Sequence, residues 1–123
     1  LFTKIDVEFK YIHKTVKNVI GRGLDKKYDL IYSAGLFDYF SDPVAQIAGM
    51  KMFEALNPGG TLVIGNFNVD NPNTIIMDLA LDWHLIYRSK SDLNHLFGAI
   101  GGHCEVEEEG LGINLFSVIK KAK

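Results

Sequence analysis

Apolar and polar residues alternate near the start of the chain. Ile5, Val7, Phe9 and Tyr11 take every second place, with Asp6, Glu8 and Lys10 between them. A period of two predicts a strand over about 5–12. The polar stretch His13 to Asn18 follows, then Gly21, Gly23 and Asp25-Lys26-Lys27, a loop by composition. Residues 28–34 form a short apolar run that stops at Gly35, which predicts a strand buried on both faces. Asp42 before Pro43 predicts an N-cap with proline at the first helical position. Val44, Ile47, Ala48, Met52, Ala55 and Leu56 then recur at helical spacing, and Pro58 with Gly59-Gly60 ends that helix near Asn57.

Thr61 to Phe67 is a second continuous apolar strand. Asn71-Pro72 opens a helix expected to run to about Tyr87, with Ile75, Ile76, Leu79, Trp83 and Ile86 on one side. Ser91 is expected to cap a third helix, with Leu93, Leu96, Phe97 and Ile100 on one face and Gly101-Gly102 as its end. Cys104, Val106 and Glu108 alternate with acids, and Leu115 to Ile119 alternates again after a glycine-containing turn. The two runs predict an antiparallel pair. Helices set among strands predict an α/β domain with a parallel centre, and the hairpin adds an antiparallel edge. No internal repeat, low-complexity segment or interdomain linker is visible.

Composition narrows the picture only slightly. The 123 residues are 47% hydrophobic and 23% charged, as in one ordinary globular domain. A net charge of -2 gives no basic face for nucleic acid. One cysteine, Cys104, allows no internal disulfide and fits a reducing, cytoplasmic setting. No apolar run reaches membrane-span length, and no signal peptide is apparent. The chain starts at Leu1 and not Met, which predicts a processed or partial chain.

Tyr28-Asp29-Leu30-Ile31-Tyr32-Ser33-Ala34-Gly35, then a helix, then Leu56-Asn57-Pro58-Gly59-Gly60 and Thr61-Leu62-Val63-Ile64-Gly65-Asn66 closely resembles class I S-adenosylmethionine-dependent methyltransferases. The resemblance makes these the fourth strand, its helix, the turn and the fifth strand of that Rossmann-like fold. Residues 5–12 become the third strand and the closing hairpin the sixth and seventh. Ser33 to Tyr39 and Trp83 to Arg88 further resemble a bacterial subgroup linked to methyl esters of hydroxy fatty acids. The implied activity is methyl transfer to oxygen of a small or lipid-like acceptor.

That family has a glycine-rich cofactor loop after its first strand and an acidic residue ending its second. Both would lie before Leu1, so residues 1–123 read as a single incomplete domain. The family strand order 3-2-1-4-5-7-6 would then leave strand 28–34 as an unpaired edge. The expectation is pairing with itself as a homo-oligomer, with another chain or with an upstream segment; the alternative is a rearrangement of strand 5–12 onto that edge. A non-catalytic methyltransferase-like binding or assembly module is the alternative function.

Within the resemblance, Thr15 and Val16 would border the adenine. Ser33, Ala34 and Gly35, at the carboxyl end of a central strand, would line the cofactor pocket. Asp38 reads as an acid, a base or a turn residue; Asn66 reads as a substrate contact or a loop cap. His84 is a candidate base for a hydroxyl acceptor, or a structural histidine. Arg88 would clamp a carboxylate acceptor. Tyr39, Trp83 and Tyr87 are candidate acceptor contacts. Gly21-Arg22-Gly23 has Lys26 in place of a third glycine and reads as a flexible connection. His13, His95 and His103 show no metal-ligand spacing, and Glu105, Glu107, Glu108 and Glu109 read as a solvated face.

Overall fold

A computed structural model describes residues 23–24, 26–70 and 85–123. The strand expected at 5–12, Thr15 and Val16, Gly21-Arg22, and the helix from Asn71 through His84 lie outside the described residues. Six elements make up the remainder: β1 (Tyr28–Ser33), α1 (Asp42–Glu54), β2 (Leu56–Phe67), α2 (Lys90–Phe97), β3 (His103–Glu108) and β4 (Asn114–Lys120). A 3-10 turn, Phe37–Tyr39, leads from β1 towards α1.

The sheet has the order β1-β2-β4-β3. β1 and β2 are parallel; β4 is antiparallel to β2 and to β3. The order matches that expected for the fourth, fifth, seventh and sixth strands. Among the described residues, the strand neighbour of β1 is β2. The register shifts between Tyr28, opposite Leu56, and Leu30, opposite Thr61. The Asn57-Pro58-Gly59-Gly60 turn is therefore carried as a bulge at the start of β2. Gly60 is required there, because a Cβ would stand 2.9 Å from the Asn57 carbonyl and 3.2 Å from those of Tyr28 and Asp29.

Both helices pack on one face. Ala45, Ala48 and Met52 of α1 and Leu93, Leu96 and Phe97 of α2 form one core with Leu62, Ile64, Leu115 and Ile119 of the sheet. Phe37 joins it, with its ring edge-on to Phe40 and Phe97. The carboxyl end of α1 is held by Lys121 Nζ, which donates to the Phe53 carbonyl at 3.5 Å, and by Lys27 Nζ, which donates to the Glu54 carbonyl. Cations there complement the helix dipole.

Five local expectations need correction. β1 is not buried on both faces: Leu30 is 62% and Tyr32 60% exposed, because among the described residues no helix covers that side. Ser41, not Asp42, is the N-cap of α1, since the Asp42 carboxylate turns to Arg88. Ser89, not Ser91, caps α2: its hydroxyl accepts from the Asp92 amide while the Asp92 carboxylate accepts from the Ser89 amide. The capping box is spelled Ser89-Lys90-Ser91-Asp92, and Ser91 falls inside the first turn. That helix also ends sooner, at Phe97 with Gly98 as its cap. Finally, residues 85–87 are not helical, so the helix expected from Pro72 does not include Tyr87.

Candidate functional site

Ligands of open α/β sheets bind beyond the carboxyl ends of the parallel strands. Here those ends are Ser33 and Phe67, which leave β1 and β2 side by side. Ser33 is buried, whereas Ala34 and Gly35 are exposed. Gly35 has φ 71°, and among the described residues nothing stands within 4 Å of where its Cβ would be. The exit of β1 is thus backbone open to its surroundings, a surface that a ligand can approach closely.

Asp38 lies in the following turn, 1% exposed. Its Oδ1 accepts from the Phe67 amide at 2.6 Å, and its carbonyl accepts from the Ile86 amide at 2.6 Å. Burial pushes the Asp38 carboxyl above its ordinary 3.8, while the Phe67 amide, its own backbone amide and the Arg88 charge pull it back. The carboxylate expected as an acid, base or turn residue is turned inward and pins the turn to the end of β2.

Arg88 is 2% exposed, and its donors are spent on the chain itself. Nη1 donates to the Phe37 carbonyl at 2.8 Å and to Asn66 Oδ1 at 2.7 Å. Nη2 donates to the Phe40 carbonyl at 2.6 Å and to Asp42 Oδ1 at 3.0 Å, with Nε 3.2 Å from the same oxygen. The guanidinium expected to clamp an acceptor carboxylate instead meets these internal oxygens. Its counter-ion, Asp42, is 74% exposed, so the ion pair sits at the rim while the fork reaches inward.

Asn66, fully buried at the end of β2, completes the assembly. Its Nδ2 donates to the Ile86 carbonyl at 3.0 Å and to the Phe67 carbonyl at 3.1 Å. Of the two roles left open for Asn66, the bonds within the structure are those of a loop cap. Arg88 also pairs through its backbone with Asn68 as an isolated parallel bridge. Asn68 Nδ2 donates to Gly112 O at 3.2 Å and Glu108 Oε1 at 3.1 Å, tying the same end of β2 to the hairpin. Asn68 does not stand out in the sequence, and Asp42 stands out there only as a helix cap. An arginine set among Leu85, Ile86 and Tyr87 was the signal that a buried polar cluster existed.

Around this cluster the surface is apolar. Tyr39 is 58% exposed, Val69 49% and Ile86 38%. Tyr87 is partly buried beside Arg88. Trp83 and His84 lie outside the described residues, immediately before Leu85. The structure therefore brings together Ser33 to Gly35, Asp38, Tyr39, Asn66, Tyr87 and Arg88 at one end of the sheet. Among the described residues no cluster of three or more His, Cys, Asp or Glu could hold a metal, and no helix is long and apolar enough to cross a membrane.

No family model matches the sequence, and no curated protein matches it either. Solved structures do. An O-methyltransferase family protein from Burkholderia thailandensis superposes with a TM-score of 0.68 over 93% of this chain, at 13% identity. The fold is therefore a partial Rossmann-like methyltransferase fold. The S-adenosylmethionine-dependent methyltransferase SibL aligns to this fold with a TM-score of 0.67 over 85% of the chain, at 16% identity. Human N-acetylserotonin methyltransferase, solved with S-adenosylmethionine, aligns at 0.60 over 77%, at 16% identity. The chain spans 36%, 34% and 30% of those three proteins, about a third of each.

Proposed function

We propose that the chain belongs to a protein that transfers a methyl group from S-adenosylmethionine to an oxygen of a small or lipid-like acceptor. The observation that carries this reading is the open backbone of Ala34-Gly35 at the carboxyl end of β1, in a sheet of methyltransferase strand order. An exit with no side chain in the way fits a cofactor held by close backbone approach. Ser33, Ala34 and Gly35 would hold it here, and Thr15 and Val16 would border its adenine. When bound, the sulfonium supplies an already activated methyl carbon, so the protein's work is mainly alignment.

The exposed Tyr39 and Ile86 offer apolar surface to an acceptor at the same end of the sheet. Trp83 and Tyr87 would extend it. His84, just before the segment fixed by Arg88, is the proposed base for a hydroxyl acceptor. Asp38 and Arg88, spent on internal bonds, are proposed to act through positioning. The names of the solved relatives support methyl transfer, and the single cysteine fits a cytoplasmic setting.

A second reading is a methyltransferase-like docking module. The exposure of Leu30 and Tyr32 along the β1 edge favours it, as self-association or pairing with an upstream segment would cover them. Calorimetry with S-adenosylhomocysteine separates the two readings, on this chain and on a longer form extended upstream. Binding is expected by the longer form, more tightly than by the chain alone. A folded longer form that does not bind overturns the enzyme reading and leaves the docking module.

A further inference from the structure

We propose that Arg88 is the positioning residue of this site: its guanidinium locks the turn leaving β1 and the segment 85–89 into one register. What is positioned rests on the methyltransferase reading; the lock itself rests on hydrogen bonds.

The bonds form closed circuits. Nη1 joins the Phe37 carbonyl of the turn to Asn66 Oδ1 of β2. Asn66 Nδ2 then returns to the Ile86 carbonyl, two residues from Arg88 itself. Nη2 joins the Phe40 carbonyl, at the far end of the turn, to Asp42 at the start of α1. On the backbone, Ile86 N donates to Asp38 O, Arg88 N to Phe67 O, and Val69 N to Arg88 O. Each amino group of the fork therefore bridges two elements, and the Nη1 bridge closes back on the Arg88 segment through Asn66.

An apolar side chain would fill the same space at lower desolvation cost, yet it would not fix register. A lysine carries one compact charge, which does not span both pairs of acceptors. The planar fork does, and a buried fork has no water to exchange for these partners. The two sides it joins are those an alignment-driven transfer must hold in line. Ala34 and Gly35 precede the locked turn, and Ile86 and Tyr87 lie in the locked segment.

Arg88→Lys tests the lock by amide exchange. The Ile86 and Phe67 amides are expected to exchange about tenfold faster, with the β3–β4 amides unchanged. In Arg88→Ala, added guanidinium ion at millimolar concentration is expected to restore protection, and ammonium ion is not. Should both variants fail to fold, Asp42→Ala frees Nε and Nη2 from a largely exposed partner, and a smaller loosening at Ile86 is expected. In the upstream-extended form, S-adenosylhomocysteine affinity is expected to fall about tenfold in Arg88→Lys. Ile119→Val, a core change far from the site, provides the stability control and is expected to keep wild-type affinity. Unchanged Ile86 and Phe67 amides, equal loosening of the hairpin, or equal loss of affinity in Ile119→Val each overturns the proposal. If the folded upstream-extended form binds no S-adenosylhomocysteine, the methyltransferase reading falls, and exchange alone decides the lock.

Discussion

On the helix-covered face of the sheet, Leu62, Ile64 and Ile119 are completely buried. On the other face, Leu30 and Tyr32 are more than half exposed, although they alternate along β1 with Ile31 and the buried Ser33. Residue type does not separate the two faces; the presence of α1 and α2 does. The covered face also leads into the polar cluster, because Leu62, Ile64 and Asn66 point the same way along β2. The apolar side of the sheet thus ends in the polar lock.

The sharpest way to break this comparison is at Ile64. Ile64→Ala should cost about 2–5 kcal/mol, since a covered site cannot collapse around the lost methyl groups. Urea denaturation measures it, and a cost near zero would mean that the helices do not cover this face in solution.

Next in size is the pH dependence set by Asp38. Its folded carboxyl titrates above the ordinary 3.8, so the folded state holds that proton more tightly than the unfolded one. This contribution to stability is complete below 3.8 and is lost as pH rises through the folded value. Asp38→Asn should remove that dependence and keep an oxygen to accept the Phe67 amide. Asp92 has the opposite sign: Ser89 holds it below 3.8, and its contribution is lost on acidification. Melts of wild type and Asp38→Asn from about pH 3 to pH 7 check this. Parallel curves would show that Asp38 is solvated after all.

The smallest effect is expected on the open face. Tyr32→Thr should change stability by less than about 0.5 kcal/mol, because the ring touches little and threonine suits a strand. A loss comparable to Ile64→Ala, with a change in sedimentation on mutation, would show that another surface covers β1.

Much of the fold was legible because its signals are local. The Pro-Gly-Gly bulge, the apolar runs and the alternation near the carboxyl end each follow from a few adjacent residues. The strand order came with the resemblance to methyltransferases. Cap positions were misjudged by one or two residues where side chains had competing partners. Asp42 looked like a cap, but a buried guanidinium is a stronger attraction than a free helix amide. Ser91 reads as a cap when taken alone, and the reciprocal bonding of Ser89 with Asp92 sets the cap two residues earlier. β1 looked doubly buried because an apolar strand reads alike whether or not both of its layers are present.

The candidate site was legible in its members and not in their partners. Asp38, Asn66 and Arg88 stood out as polar residues in apolar surroundings. Their bonds run to carbonyls of Phe37, Phe40 and Ile86, and every residue carries a carbonyl. No residue pattern announces which carbonyls will converge. Chemistry written in side chains was therefore found, and chemistry written in the backbone emerged only with the fold.

The place of β4 has a consequence for how the chain is made. β3 reaches the sheet only through β4, and β4 only through β2. During synthesis β1, α1 and β2 emerge first, and the Thr61–Phe67 side of β2 then has no partner until Asn114–Lys120 leaves the ribosome. The hairpin forms within microseconds once present, but docking it closes a long loop. Of the four strands, the one made last is thus the one that joins β3 to β2, and the interval before it arrives is when this part of a nascent chain is most open to capture by chaperones.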